Sequence, residues 1–382
     1  MLYLLRIIRE RTRPVPKKKV AKLTAFVEGN SATVRLGDLE FFIRTGYEGQ
    51  LVHDNFDFAL FGAMALGISQ NIDIETDLRI SSQTLAAVRA FNDMMVIWNP
   101  RKIYPISISA NNVYDAPEQS ADKPSLFCLS GGVDSTYTAI TTPAELNLTH
   151  GMLIAGADYP ADAEDAGFKE LSTNLQKFVN KTGHQFFSTE TNLRDMGLNW
   201  ELMHIPLLMT CLSFHASVFG KGVISADMTP GQEMAYHPWS NVGAVVGAMS
   251  TPAFPILHWG RDINRTEKVL HIANDPRNLL DTLSVCNLGD EGKKNCGTCE
   301  KCVRTKLNLL SGGLEMPDLF VQNSDLAELV DDLVHPKSMF ARRRLICWIY
   351  ENEVNLPDGD VKGAVVRRRK RLRGSVVPLG RI

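Results

Sequence analysis

The most informative stretch of the chain covers residues 126–136 and reads LFCLSGGVDST. The apolar run 125–129 predicts a short strand, and residues 135–140 begin a helix. Between them, Gly131 and Gly132 let the backbone approach a ligand without a Cβ, and a helix N-terminus favours an anion. With the hydroxyls of Ser130, Ser135 and Thr136, this turn predicts a cradle for phosphate oxygens.

The following part of the chain repeats the order strand, turn, helix. The further predicted strands cover 151–156, 185–188 and 222–226, and the predicted helices cover 162–181 and 200–219. Such alternation with short loops is typical of a parallel sheet with helices on both faces. The fold class is therefore predicted to be α/β.

The chain of 382 residues is long enough for more than one domain. Residues 20–115 predict an α+β domain, with strands over 21–28, 32–36, 39–44, 72–77 and 103–109 and helices over 56–66 and 82–97, the second capped by Ser82. The remaining predicted ranges are a basic leader over 1–19, the α/β domain over 124–312, a helical C-terminal region over 313–361 and a basic tail over 362–382.

An ordinary strand-to-helix turn, capped by serine or aspartate, is the simplest alternative to a phosphate cradle at Ser130–Gly132. The whole string S-G-G-V-D-S-T after an apolar strand, however, resembles the PP-loop of the ATP pyrophosphatase superfamily. It lacks the G-K-[ST] ending of a Walker loop. It also lacks the third glycine of a dinucleotide-binding fingerprint.

The PP-loop resemblance implies an adenine nucleotide alpha hydrolase-like fold in which the loop holds the β- and γ-phosphates of ATP. A substrate then attacks the α-phosphate, which yields an adenylate and pyrophosphate. The ATP-binding residues that it implies are Leu129, Ser130, Gly131, Gly132, Val133, Asp134, Ser135, Thr136 and, after the next strand, Asp158. Asp134 would repel a phosphate, so we expect it to orient the loop or to bind Mg²⁺.

Four of the seven cysteines fall within 17 residues, at Cys286, Cys296, Cys299 and Cys302. The spacing C-x9-C-x2-C-x2-C offers four thiolates on short turns, which predicts a closed, structural Zn²⁺ site. An iron–sulfur cluster is the alternative metal centre, and four independent buried thiols are the alternative without a metal. The other three cysteines are predicted to be small buried side chains.

Both motifs, in this order and followed by a helix that starts with residues 303–305, resemble the 7-cyano-7-deazaguanine synthase family over residues 124–312. The segments 281–284 and 264–267 also resemble that family, although it usually has lysine where this chain has Arg265. The resemblance implies that Ser130, Asp134, Ser135 and Arg265 are the catalytic residues. It also implies ATP-dependent activation of a 7-deazaguanine carboxylate, followed by amide and then nitrile formation with ammonia.

Two substrate-facing elements of that family differ in this chain, at residues 206–209 and 225–230. With its extra N-terminal domain and basic tail, the chain is more similar to extended relatives from bacterial anti-phage operons. We therefore expect a small-molecule carboxylate as substrate and ammonia or a protein amine, from a protein of the same operon, as acceptor. The sequence leaves the oligomeric state open.

Three other functions remain open at this point. A tRNA-modifying PP-loop enzyme would explain the basic termini, although sulfur-inserting members of that kind usually carry a catalytic cysteine pair near the nucleotide. A sugar amidotransferase of the same superfamily is a second alternative. An adenine-nucleotide-binding scaffold without catalysis is the third, and the intact S-G-G-V-D-S string argues against it.

Charge is distributed unevenly over a chain whose formal net charge is −2, because both ends are basic. The basic run 367–373 predicts contact with nucleic acid, or else a solvated tail or one docked on the acidic body, and we expect the tail to be dispensable for turnover. The chain shows no signal peptide. Residues 202–220 lack charge but are too polar for a good membrane span, so we expect a cytoplasmic protein without a membrane contact.

Three further side chains are weighed as site candidates. Trp239, in the polar and aromatic segment 237–241, could stack on a flat heterocycle, or it could plug the edge of the core. His204 and His215 lie eleven residues apart on one predicted helix face. Their apolar neighbours favour buried, hydrogen-bonded histidines over metal ligands.

Overall fold

The computed structural model describes residues 18–100, 103–120, 122–236, 239–286, 295–321, 324–333 and 339–373. The strands of this part of the chain are β1 (Lys19–Glu28), β2 (Ser31–Leu36), β3 (Leu39–Thr45), β4 (Ile72–Ser81), β5 (Ile108–Tyr114), β6 (Ser125–Cys128), β7 (Leu148–Ala155), β8 (Gln185–Glu190), β9 (Lys221–Ser225) and β10 (Ile256–Trp259). Its α-helices are α1 (Asp57–Gln70), α2 (Ser82–Trp98), α3 (Val133–Thr141), α4 (Ala166–Thr182), α5 (Trp200–Phe214), α6 (Pro230–Tyr236), α7 (Gly243–Met249), α8 (Arg265–Ala273), α9 (Glu300–Ser311), α10 (Leu326–Asp332), α11 (Met339–Glu353) and α12 (Asp360–Arg373).

The chain divides into two compact units. The first unit comprises Met1–Lys123, Thr189–Gly222 and Ala244–Ile256, and the second comprises Pro124–Ser188, Val223–Gly243 and Leu257–Ile382. This grouping differs from the predicted ranges, because α5 belongs to the first unit and not to the unit of the glycine-rich loop. The reason is packing: α5 is apolar on nearly every side and lies against α1, with the rings of Phe58 and Phe214 5.1 Å apart.

The first unit contains strands in the order β3-β2-β1-β4-β5. β2 pairs antiparallel with both β1 and β3, whereas β4 pairs in parallel with β1 and β5. Along β2 every second residue is buried, namely Ala32, Val34 and Leu36. This period of two is the alternation that predicted the strand.

Two predictions for the first unit are wrong in detail. The cap of α2 is Ser81, not Ser82: Ser81 Oγ accepts a hydrogen bond of 3.1 Å from Thr84 N, and Ser81 itself is extended. The last strand covers 108–114 and not 103–109, because the Asn92 side chain bonds both the N–H and the C=O of Ile106 and so takes the place of a neighbouring strand.

The second unit contains strands in the order β10-β9-β6-β7-β8. β6 and β7 pair in parallel, with Phe127 opposite Gly151, and α3 and α4 follow β6 and β7 along the chain. The buried core includes Phe127 on β6, Leu153 on β7, and Leu175 and Phe178 on α4. The predicted mixed α/β class with parallel strands and helices is confirmed.

The helices α9 to α12 form a second cluster of buried side chains in the same unit. Val303, Val330, Trp348 and Leu372 represent one buried residue from each of these four helices. None of the helices in the described ranges has the length and apolarity that a bilayer crossing requires. The first 17 residues of the basic leader and the last nine of the basic tail lie outside those ranges.

Candidate functional site

The glycine-rich loop connects β6 to α3. Gly131 has a φ of +73°, a conformation that favours glycine, and its carbonyl oxygen accepts a hydrogen bond of 2.8 Å from Ser284 N. Gly132 is the N-cap residue of α3 and has an extended conformation. Because glycine has no side chain, no side-chain cap bonds the first N–H groups of this helix. The predicted strand–loop–helix arrangement is therefore present.

The three hydroxyls predicted for this loop have different surroundings. Ser130 is exposed, and its Oγ lies 3.3 Å from Ser135 Oγ, which also donates to the carbonyl oxygen of Gly132 at 3.2 Å. Thr136 is buried, as are the flanking Leu129 and Val133. Ser130 is thus the exposed hydroxyl of the loop, whereas Ser135, which is 4% exposed, and Thr136 are both buried.

Gly131 and Gly132 differ in the space around them. A Cβ on Gly131 would lie 3.2 Å from both Leu171 and Leu175, so Gly131 is needed for packing as well as for its φ. A Cβ on Gly132 would meet Ser130 Oγ at 3.5 Å and the Ser284 carbonyl oxygen at 3.9 Å, which are ordinary contacts. The protein leaves room beside Gly132 that a ligand could use.

Asp134 is held by two cations from α8. Arg265 Nη1 donates to Asp134 Oδ2, and Lys268 Nζ donates to Asp134 Oδ1 at 3.1 Å. Burial raises the pKa of Asp134, but the charges of Arg265, Lys268 and Arg304 outweigh it and hold that pKa below its usual value. Burial lowers the pKa of Arg265, and the charge of Asp134 opposes this.

A capping box fixes the helix that carries these cations. Asn264 accepts a hydrogen bond of 3.0 Å from Glu267 N, and Glu267 Oε2 accepts one of 2.7 Å from Asn264 N. Arg265 is therefore the first helical residue, and Lys268 lies three positions on, on the same helix face. The structure thus brings Asp134 and Arg265 together, as the resemblance implied.

Lys268 is the main residue that the sequence reasoning missed. Its side chain is 1% exposed, and its Nζ also donates to the Ala226 carbonyl oxygen at 2.5 Å. The signal was present in the sequence, because Lys268 stands at i+3 from Arg265 within an amphipathic helix. A fully buried lysine is rare unless it is paired, and here its partner is a carboxylate whose side chain is 18% exposed.

Asp227 follows β9 and contacts Trp239, whose Nε1 donates to Asp227 Oδ2 at 3.0 Å. Burial and the charge of Asp134 raise the pKa of Asp227 to about 6. The Trp239 ring is thus anchored by its N–H, and stacking on a ligand stays a prediction. His237 and Pro238, the start of that predicted segment, lie outside the described residues.

A small cavity of about 20 Å³ adjoins Asp227. Its lining residues are Asp227, Met228, Gln232, Arg304, Arg344, Cys347 and Trp348. Within the described residues, the buried polar atoms of this lining that have no hydrogen-bond partner include Asp227 Oδ1, Arg304 Nε and Trp348 Nε1. The volume and the polar lining suit one water molecule or a group of similar size.

The four predicted metal ligands converge in the second unit. The Sγ atoms of Cys286, Cys296, Cys299 and Cys302 all lie within 4.8 Å of one another. Cys296 Sγ and Cys302 Sγ are 3.8 Å apart, and a tetrahedron with Zn–S bonds of about 2.3 Å has edges of about 3.8 Å. This cluster could hold a metal ion such as zinc.

Backbone and side-chain contacts pre-shape the cysteine cluster. Cys296 N donates to Cys286 Sγ and Cys299 N donates to Cys296 Sγ, both at 3.3 Å. Gly297 has a φ of +86°, which turns the chain back between two ligands. The buried Asn295 accepts hydrogen bonds from Val285 N and Cys286 N and so ties the first ligand to the other three.

The remaining candidates are Asp158, His204 and His215. Asp158 follows β7, and its carboxylate lies 3.7 Å from Lys301 Nζ. His204 Nδ1 lies 2.9 Å from the Trp200 carbonyl oxygen, and His215 bonds both Cys211 O and Thr45 Oγ1. Burial lowers the pKa of His215 to about 4, so it is the neutral, hydrogen-bonded core histidine that its apolar neighbours predicted.

The basic run on α12 is largely paired where it is described. Arg367 and Arg371 both contact Asp331, Arg369 contacts Glu353, and Arg368 is 4% exposed. These contacts favour the docked alternative for this run over a free nucleic-acid-binding surface.

No protein-family model, curated protein or solved structure matches the chain. The arguments for its function are therefore the geometry above and the motif residues themselves.

Proposed function

We propose that this chain is an ATP pyrophosphatase-type ligase with a PP-loop fold in its second unit. It would adenylate a carboxylate with ATP and then form a C–N bond to ammonia or a protein amine. The observation that carries the proposal is the loop at Ser130–Ser135, with uncapped helix N–H groups beside Asp134, Arg265 and Lys268. A glycine-rich helix N-terminus next to two buried cations is chemically suited to pyrophosphate.

In this proposal, loop N–H groups and the hydroxyls of Ser130 and Ser135 bind the β- and γ-phosphates. A carboxylate oxygen of the substrate attacks the α-phosphorus, the bond from that phosphorus to the β-phosphate oxygen breaks, and pyrophosphate leaves. The amine then attacks the acyl carbon and AMP leaves. Arg265 and Lys268 would offset the negative charge that builds up on the leaving group, and Asp134 would hold both cations in place. Mg²⁺ would accompany the phosphates.

The proposed substrate class follows from the motif resemblance. A 7-deazaguanine acid is the proposed carboxylate, and amide or nitrile is the proposed product, with anti-phage defence as the proposed setting. The S-G-G-V-D-S-T string and the four converging cysteines support this choice.

The test combines product analysis with a loop variant. Purified protein, ATP and the deazaguanine acid should yield AMP and pyrophosphate. Gly132→Ala should abolish this, because its Cβ fits the protein but occupies the proposed phosphate position. Gly247→Ala is the matched control, since a Cβ there has no atom within 4 Å, and it should retain full activity.

Three outcomes would reject parts of the proposal. ADP and phosphate as the sole nucleotide products would exclude attack at the α-phosphate. ATP binding without pyrophosphate release would support the scaffold alternative. Undiminished turnover in a correctly folded Gly132→Ala protein would remove the loop from the reaction.

A further inference from the structure

Glu351 lies near the end of α11, far from the glycine-rich loop in sequence. Its carboxylate accepts four hydrogen bonds. Its Oε1 accepts from Thr266 N at 2.8 Å and from Thr266 Oγ1 at 3.3 Å. Its Oε2 accepts from Gln232 Nε2 at 3.2 Å and from Arg304 Nη2 at 3.3 Å. The side chain is 1% exposed, so these contacts are shielded from solvent.

The Thr266 contact places Glu351 at the N-terminus of α8. Thr266 N is one of the first N–H groups of that helix, which have no partner within the helix, and a carboxylate there is stabilised by the helix dipole. The preceding residue is Arg265, which binds Asp134. Glu351 therefore bonds the residue that directly follows Arg265, and Arg265 in turn contacts the proposed phosphate loop through Asp134.

The neighbouring Asn352 strengthens the same attachment. Its Oδ1 accepts hydrogen bonds from Asn308 Nδ2 and Ser311 Oγ, both at 2.9 Å, and lies 3.2 Å from Thr266 Oγ1, whose one proton Glu351 and Asn352 share. Its Nδ2 donates to the Trp348 carbonyl oxygen at 2.7 Å. α11 is thus joined through buried polar groups to both α8 and α9.

Glu351 also contributes a negative charge next to Arg304, which an uncharged hydrogen-bonding side chain at this position would not do. Arg265, Lys268 and Arg304 carry positive charge around Asp134, and Glu351 is the carboxylate paired with Arg304. Its removal would leave Arg304 buried without this partner, which is costly in a low-dielectric interior.

We infer that Glu351 is a positioning residue of the candidate active site, which fixes the N-terminus of α8 and thereby Arg265 against Asp134. The inference rests on the proposed function only for the roles of Arg265 and Asp134 in pyrophosphate binding and release. It goes beyond the motif resemblance, which covers residues 124–312, because it makes a helix from the C-terminal region a working part of the site.

The test compares Glu351→Gln with Glu353→Gln. Glu353 lies on the same helix and pairs with Arg369 at 3.0 Å, with 13% of its side chain exposed, so each variant loses one shielded ion pair. Glu351→Gln should speed amide hydrogen exchange at Thr266 and in residues 130–136 and weaken binding of inorganic pyrophosphate, each by about tenfold, as expected for a lost charge-assisted hydrogen bond. Glu353→Gln should lower stability without either effect.

Glu351→Asp is the second variant should Glu351→Gln fail to fold. It keeps the charge but shortens the side chain, so exchange at Thr266 should still rise. Equal exchange in both Gln variants would overturn the inference. If the wild-type protein binds neither pyrophosphate nor ATP, the proposed function fails, while the exchange data still decide whether Glu351 fixes α8.

Discussion

At the scale of single residues, Asp134 shows how neighbouring cations compensate the charge of a carboxylate. An acid in a loop that is proposed to bind phosphate is unfavourable by itself, yet each of its oxygens here accepts a hydrogen bond from a cation. Two positive charges, on Arg265 and Lys268, therefore face the single negative charge of Asp134. Asp134 contacts Arg265 and Lys268, and both roles predicted for it, orientation of the loop and binding of Mg²⁺, stay predictions.

Asp227 should make stability depend on pH. Its pKa of about 6 in the folded protein lies above the ordinary aspartate pKa of 3.8, so its contribution to stability is fully present below about pH 4 and is lost as the pH rises through 6. Relative to Asp227→Asn, which keeps an acceptor for Trp239, the wild type should lose about 2–3 kcal/mol of unfolding free energy between pH 4 and pH 8. Denaturant unfolding of both proteins at these two pH values measures this, and a pH-independent difference would contradict it.

At the scale of elements, the cysteine cluster depends on a short turn more than on a helix or a strand. Three ligands come from residues 296–302, at and just before the start of α9, whereas Cys286 follows a turn at Leu280–Thr282. Asn295 joins these two segments, since its Nδ2 also donates to Leu283 O and Leu319 O. These polar contacts bring the two segments with the cysteines together. A metal ion would therefore bind to a cluster whose ligands already lie close to one another.

Cys299→Ser should lower the zinc content from about one ion per chain to much less. Structural zinc contributes on the order of 10 kcal/mol to folding, so the thermal midpoint should fall as well. Cys347→Ser is the control, because Cys347 lies outside the cluster, and it should keep its zinc. Elemental analysis gives the metal content. Iron with visible absorbance in anaerobically purified protein would establish an iron–sulfur cluster instead, and metal retention in Cys299→Ser would remove that ligand.

At the scale of the whole molecule, the C-terminal region is a structural part of the second unit. Ala364, Val365 and Leu372 of α12 are fully buried in a cluster with α10 and α11. α11 in turn carries Glu351 and Asn352, which contact α8. The expectation that residues 362–382 form a dispensable tail does not fit this packing for the part up to Arg373.

Two truncations separate the packed helix from the end of the chain. Removal of residues 362–382 deletes three buried apolar side chains and should destabilise the second unit by about 2–5 kcal/mol. Removal of residues 374–382 alone should leave stability and turnover unchanged. Thermal unfolding and pyrophosphate release measure both effects. Wild-type stability after the longer truncation would show that α12 contributes nothing to the fold.

Much of the local structure was predictable because it depends on neighbours in sequence. The period-two pattern predicted β1 to β3, and the apolar strand followed by two glycines predicted the β6–α3 loop. The close spacing of the cysteines predicted their convergence. The error at residues 103–109 arose because the Asn92 side chain took up the backbone hydrogen bonds of Ile106. The error at Ser82 arose because the adjacent Ser81 is also a capping residue type and makes the cap hydrogen bond to Thr84 N.

The sequence by itself determined the mixed α/β class through its alternation of strands and helices. It also determined the glycine-rich loop between a strand and a helix and the four-cysteine cluster, each of which is encoded in fewer than 20 consecutive residues. Only the tertiary structure decided that Lys268 is buried against Asp134, that α5 belongs with α1, and that Glu351 joins α11 to α8. These features depend on burial and charge pairing between segments that are far apart in the sequence. No local pattern specifies such contacts, because the desolvation cost and the Coulombic gain that set them exist only once the chain has packed.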